Sequence, residues 1–335
     1  MIQKLHIDAH SKALRLFCGF GLLWFLVLPI NAQEISSIPG AFAQIGIGAR
    51  SAGLGYTGTA GAIGSGAMAW NPAAIYSDNG MELALSYVDQ LEVVEFGYAA
   101  LSIPLKNNRN AIAISAHYSG DEALTEESAK VAYAHRIGFI WLGAAVGIRR
   151  AMYGKNKLNA GDYVVFDADE IAEGLSRQVS GTATGYTIEA GMRMMWSRDL
   201  AVSLSARNIS APMLWRSYSQ ARPGKKSYIE SVPLELATGV KYQLSDRVSG
   251  ALEWVPALES DAISRIGLGA SFLPVEMIAL RVGRVIFHDG IQNETNTFGF
   301  GIRTPKSAGL NIRADYAYII SDLARTQQLS LSIGL

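Results

Sequence analysis

The chain is almost free of cysteine. Its one thiol, Cys18, falls inside a stretch that reads as a removable export signal, so the mature chain holds none. Disulfides, thiolate metal sites and cysteine nucleophiles are thereby excluded. Charge is also scarce, at 17% of residues against a usual ~25% for soluble domains. Neither sign dominates: beyond residue 32 there are 26 Lys or Arg and 28 Asp or Glu side chains. Without a basic surplus to neutralise phosphates, nucleic acid is excluded as a partner. After residue 32 no apolar run approaches the ~20 residues that a membrane-crossing helix needs, which excludes a helical membrane protein. Glycine is plentiful, at 34 residues, and mean hydropathy is positive. A chain suited to lipid but without spanning helices points to β-structure.

The first 32 residues predict a compartment. Lys4, Lys12 and Arg15 form a basic opening, Leu16 to Ile30 is uncharged and apolar, and Ala32 supplies a small residue before Gln33. That order is the order of a cleaved export signal. An uncleaved anchor is the competing reading, but the apolar stretch is short for a ~30 Å hydrocarbon core and Pro29 interrupts its end.

From residue 81 onward, apolar and small or polar residues alternate with a period of two. In 233–244, Leu234, Leu236, Thr238, Val240 and Tyr242 share one face, and Glu235, Ala237, Gly239, Lys241 and Gln243 the other. Fourteen such segments begin near residues 81, 93, 109, 128, 139, 183, 199, 233, 247, 263, 276, 295, 309 and 326. An even count fits a single-chain bacterial outer-membrane barrel. Connections alternate between short ones and long ones, the longest being 153–180 and 209–232, which read as polar external loops. Aromatic residues expected at the lipid interfaces are Tyr87, Phe96, Tyr118, Tyr133, Trp196, Trp254, Phe272, Phe298, Tyr316 and Tyr318. A soluble β-sandwich shares the alternation. It accounts less well for the export signal, the strand count and charges on the inner-type face of nearly every segment.

Residues 33–80 differ. Nine glycines lie between Gly40 and Gly66 with few charges and no period of two, followed by Trp70-Asn71-Pro72-Ala73. A Gly-rich apolar stretch of this kind has to be buried, and the lumen of the barrel is the available place. The expected organisation is a signal peptide over 1–32, a plug over 33–80 with one short helix near 72–77, and an all-β antiparallel barrel of about 14 strands over 81–335.

The run Phe42-Ala43-Gln44-Ile45-Gly46-Ile47-Gly48-Ala49-Arg50-Ser51-Ala52-Gly53-Leu54-Gly55 and the motif Trp70-Asn71-Pro72-Ala73 resemble the PorV/PorQ family within the FadL-like outer-membrane barrels. The resemblance implies a fourteen-stranded barrel with an N-terminal hatch, in the outer membrane of a Gram-negative-type bacterium. It also implies one of two tasks: uptake of a hydrophobic small molecule, or service to exported proteins and the type IX secretion machinery. Ala74 stands where the family usually has Gly, and Leu335 ends the chain where such barrels more often end in an aromatic.

Within this reading the plug is marked by Gly46, Gly48, Arg50, Gly53 and Gly55 and by the Trp70 to Ala73 motif, with Trp70 expected against the barrel wall. Charges expected to face the lumen are Glu95, Arg149, Glu189, Arg193, Arg207, Glu235, Lys241, Glu253, Arg265, Arg281, Arg303, Arg313 and Asp315. Their mixed signs suggest ion pairs bracing a plug rather than an ion filter. Gly53 to Gly58 matches G-x-G-x-x-G, yet no strand precedes it and no βαβ unit follows, so tight packing explains the glycines better than a dinucleotide does. Ser115 and His117 admit an outer-membrane lipid hydrolase, without a motif to supply a third partner. The acidic group Asp162, Asp167, Asp169, Glu170 and Glu173 lacks EF-hand spacing and reads as a solvated loop. No catalytic residue, metal or cofactor is expected.

Overall fold

The computed structural model describes residues 46–77, 80–90, 94–105, 109–120, 124–154, 179–219, 225–258, 263–288, 294–305, 311–321 and 325–335. The expected signal peptide and the acidic cluster of 162–173 lie outside these, as does the start of the family-like motif.

Alternation becomes strand wherever it was read. The strands are β1 Glu82–Gln90, β2 Val94–Pro104, β3 Asn110–Gly120, β4 Leu124–Ile137, β5 Ile140–Tyr153, β6 Val179–Met195, β7 Leu200–Ser210 and β8 Pro212–Ser219. They continue with β9 Lys225–Ser231, β10 Glu235–Gln243, β11 Val248–Val255, β12 Ser264–Val275, β13 Ile278–His288, β14 Glu294–Arg303, β15 Asn311–Ser321 and β16 Arg325–Gly334. Fourteen of them form a closed antiparallel barrel. Neighbours in the chain pair in turn, β7 pairs with β10, and β16 returns to β1 from Glu82↔Gly334 to Gln90↔Thr326. Closure leaves no open edge in the ring itself. Among the described residues no helix is long and apolar enough to cross a membrane; this wall crosses it with strands.

The outward face carries Ile114, Val131, Val146, Ile148, Leu252, Leu268, Val282 and Phe300, all exposed. In water such a belt would drive association, whereas in a bilayer it is the surface a barrel presents. Tyr87, Tyr118, Tyr133, Trp196, Trp254, Phe272 and Phe298 belong to it. Phe96 does not. On β2 the inward parity runs Phe96, Tyr98, Ala100, Ser102, all buried, so the ring points into the barrel. Glu95 correspondingly points outward, where it accepts a hydrogen bond from Tyr87 Oη at 2.9 Å, and it is no lumen charge.

The connection 209–232 is not the polar loop its composition suggests. β6 is 17 residues long and is shared along its length: Ala190 to Met195 pair with β7, and Val179 to Gly185 pair with β8. The register jumps between Ile188↔Ser210 and Ala190↔Ala206. Asn208 absorbs the jump at φ 57°, a left-handed conformation that Asn tolerates better than most residues. The chain thus bulges, continues up β6 as β8, and turns back as β9, making a hairpin that extends the wall. Ala151, Ala183, Met213, Trp215 and Val232 bury against one another there.

Residues 46–77 lie inside the ring. They form a chain of short helices at Ala49–Ala52, Gly58–Gly61, Gly64–Ala69 and Pro72–Ala74, the last two of 3-10 type. The helix expected near 72–77 is only three residues long, and three further helices precede it. Each abuts a different arc of the wall: the first β14 to β16, the second β7, β10 and β11, the third β1 to β3, the fourth β4 to β6.

Candidate functional site: the barrel interior

Helices of three to six residues do not stand alone, because nucleation costs more than one or two turns return. Their free backbone groups must find partners elsewhere, and the wall supplies them. Thr59 N–H donates to Glu253 Oε2 at 2.7 Å, and Ser65 donates through its N–H and Oγ to Glu82 Oε1 at 3.1 and 2.8 Å. Gly55 N–H donates to Thr297 Oγ1 at 3.0 Å and Ala49 N–H to Ser330 Oγ at 2.8 Å. In the other direction, Arg193 donates to the Ala60 carbonyl at 2.7 Å, Arg207 to Ala69 at 3.0 Å, Ser205 to Trp70 at 2.7 Å and Gln328 to Gly46 at 3.1 Å. Buried polar groups that are satisfied in this way specify one seating of the segment.

Steric fit does the rest. A side chain on Gly143 would meet the backbone of Pro72 and Ala73, one on Gly239 the backbone of Ala60, and one on Gly269 the backbone of Leu54. These wall glycines therefore let main chain touch main chain. Gly55 needs its freedom twice over, since its φ is +67° and a Cβ would strike the Leu268 carbonyl. The G-x-G-x-x-G run is thus used for close packing on β12, β13 and β14.

Asn71 caps the Pro72–Ala74 turn: its Oδ1 accepts from Ala73 N–H at 2.9 Å, with Pro72 at the first helical position. Its Nδ2 faces the carbonyls of Thr59, Met192 and Leu204 at 3.2 to 3.3 Å, which ties the turn to another part of the segment and to two strands. Trp70 is buried. Its Nε1 donates to the Ile47 carbonyl at 2.8 Å and its ring fills the space beside Gly46 and Gly58, so it binds the segment to itself. The wall reaches it through Arg207, whose guanidinium carbon lies 5.8 Å from the ring centroid.

The lumen charges fall into groups. Glu235 pairs with Arg207 and with Arg265, the latter at 3.4 Å. Asp315 takes Arg281 at 2.8 Å and Arg313 at 3.1 Å. Glu189 takes Lys130 at 3.1 Å and Arg149 at 4.0 Å. Arg303 keeps the inward parity of β14 and sits at the rim of the same side, 3.9 Å from Glu276. Arg193 and Glu253 serve backbone groups of the inner segment, as described. Arg50 and Lys241 make no ion pair or hydrogen bond among the described residues. Burial first, then the guanidiniums of Arg313 and Arg281, lower Arg50 to about 9, against the pull of Asp315 and Glu82. It remains cationic at neutral pH.

Sequence reading missed Glu82, Lys130, Thr297, Gln328 and Ser330. All five occupy the inward parity of their strands, so parity taken without regard to residue type would have found them. Besides Lys130 and Arg149, β2 to β5 present Tyr98, Ala100, Ala111, Ala113, Ala132 and Trp141 inward, packed with Met68, Ala73 and Ile75. Tyr76 stacks on Trp141 at 4.7 Å between ring centroids. His117 faces inward from β3 and its ring stacks on Phe96 at 6.1 Å. Among the described residues no cluster of His, Cys, Asp or Glu is placed to hold a metal.

No family model matches the chain, and no curated protein matches it by sequence. Solved structures do match in fold. The CymD monoaromatic hydrocarbon channel is 16% identical, with a TM-score of 0.57 over 87% of this chain and 97% of that one. The toluene transporter TbuX of Ralstonia pickettii is 15% identical, at 0.57 over 87% and 98%. A FadL homologue from Pseudomonas aeruginosa is 13% identical, at 0.56 over 85% and 97%. The fold is that of a FadL-like barrel.

Proposed function

We propose that the chain is an outer-membrane barrel that admits small hydrophobic molecules, with residues 46–77 as a plug that closes the lumen at rest. The observation that carries this reading is the divided interior. A water-filled porin lumen is polar all round, whereas here one sector of the wall and the plug meet in an apolar layer of alanines, Met68, Ile75 and stacked aromatics. Such a layer offers nothing to a polar solute and a favourable transfer to an apolar one. Two of the fold neighbours are a monoaromatic hydrocarbon channel and a toluene transporter, which supports the same class.

The test is uptake of radiolabelled toluene by cells whose own hydrophobic-uptake barrels have been deleted. Expression of this chain should raise initial uptake several-fold and leave a sugar of similar size unaffected; equal toluene uptake with and without it overturns the reading. A second reading, service to protein secretion, is favoured by the PorV/PorQ-like run that ends at Gly55. Recovery of secretion components with the barrel purified from its native membrane, and no apolar solute, would favour that one.

A further inference from the structure

One cavity in the barrel has the wrong chemistry for an apolar solute. It has a volume of about 320 Å³ and lies at the end of the tight turns, between the plug and β10 to β15. Arg50, Lys241, Arg281 and Arg313 line it, against Asp315 on the inner side. At the rim Arg303 is met by Glu276, and Asp246 is exposed in its turn.

The charges do not balance. Asp315 is shared by Arg281 and Arg313, while Arg50 and Lys241 make no ion pair among the described residues. The side chain of Arg281 is 4% exposed, and its Nη1, although buried, has no hydrogen-bond partner among the described residues. Arg50 and Lys241 are half-buried; cations partly withdrawn from water without a paired acid, and buried donors without acceptors, both cost free energy. They persist in folded proteins mainly where a ligand completes them. A second, smaller cavity shares Arg50, Arg313 and Asp315 and adds the hydroxyls of Ser86 and Ser332. Guanidiniums offer planar, forked donors that match an oxyanion in two-point fashion, with an ammonium as a point charge beside them.

We infer that this vestibule is a binding site for one oxyanion, a carboxylate or phosphate group, held by Arg50, Lys241, Arg281 and Arg313. The site is argued from charge and geometry alone, so it goes beyond the conduit reading and stands or falls separately from it. The anion would arrive either free or as the head of an amphipathic molecule.

Isothermal titration of the detergent-folded full chain with octanoate and with inorganic phosphate tests it. Saturable binding at one site per barrel is expected. It should weaken at least tenfold in the double variant Arg50→Met with Lys241→Met and stay unchanged in Arg284→Gln, whose side chain pairs with Glu294 on the outer face. Octanoate binding well above phosphate would identify an amphipathic head group, and equal binding a free oxyanion. Absence of saturable binding by both probes, or wild-type affinity in a folded double variant, overturns the site. Wild-type protein gives an independent readout should the variant misfold. The bound anion should slow amine-reagent modification of Lys241, read by peptide mass spectrometry, and an unchanged rate would count equally against the proposal.

Discussion

Asn71 and Gly191 share one space: a side chain on Gly191 would overlap Asn71 Oδ1, the atom that caps the Pro72–Ala74 turn. The wall of β6 is therefore cut to the inner segment 46–77 at this point. Gly191→Ala should displace the turn while the strand keeps its ladder to β5 and β7. Overpacking of this kind costs about 1 to 3 kcal/mol. The expected result is normal heat-modifiable migration with raised small-solute permeability in liposome swelling; unchanged permeability would show that the turn adapts.

Trp70→Ala removes a buried ring and the donor to Ile47. Such truncations typically cost about 3 to 5 kcal/mol, and here the loss falls on the inner segment, because the ring packs against its own Gly46 and Gly58. Planar-bilayer conductance should rise over the wild-type value, with the β-spectrum in circular dichroism retained. Equal low conductance in a folded variant would refute a closing role for Trp70.

Asp315→Asn should be among the most damaging single changes in the wall. Asp315 and Arg281 are 4% and 6% exposed, and leaving a buried cation unpaired typically costs about 3 to 5 kcal/mol. Replacing both partners, Arg281→Met with Asp315→Leu, should cost less than the single change. Urea midpoints in detergent decide between the two orders.

Trp215→Ala concerns the β8–β9 hairpin. Trp215 is wholly buried between Tyr153 and Tyr228, with ring centroids at 5.5 and 6.3 Å. Hydrogen exchange over 212–231 should accelerate by orders of magnitude, while β7 below the bulge stays protected by β6 and β10. Uniform acceleration of the whole barrel would contradict a locally stabilised hairpin.

How much of this was legible depended on where each hydrogen bond goes. In 233–244 the inward parity of Glu235, Lys241 and their neighbours follows from a period that the strand itself imposes. The cap of Pro72–Ala74 by Asn71 is equally local. The hairpin was hidden because Arg222-Pro223-Gly224-Lys225 and Pro212 carry turn chemistry, although Met213 and Trp215 alternate with Leu214 and Arg216 between them. Phe96 was misplaced by residue type, which suggested an interface ring, when its parity with Tyr98 and Ala100 already pointed inward. The helices at Ala49–Ala52 and Gly58–Gly61 had no local signal, since their partners Ser330 and Glu253 lie some two hundred residues or more away. Arg50 and Lys241 could be named from sequence, but their lack of counter-charge is a fact of tertiary placement.

The seam of the ring and the seat of the inner segment turn out to depend on one strand. β16 closes the wall on β1, and the same strand accepts from Ala49 through Ser330 and donates to Gly46 through Gln328. The earliest described residues thus gain these two partners only when β16, Arg325–Gly334, is in place. During folding, sealing the cylinder and fastening its contents become a single late step with a large loop-closure penalty. A chain ending before Arg325 would lose both at once, leaving an unsealed sheet edge exposed to lipid and a loose tether in place of a seated inner segment.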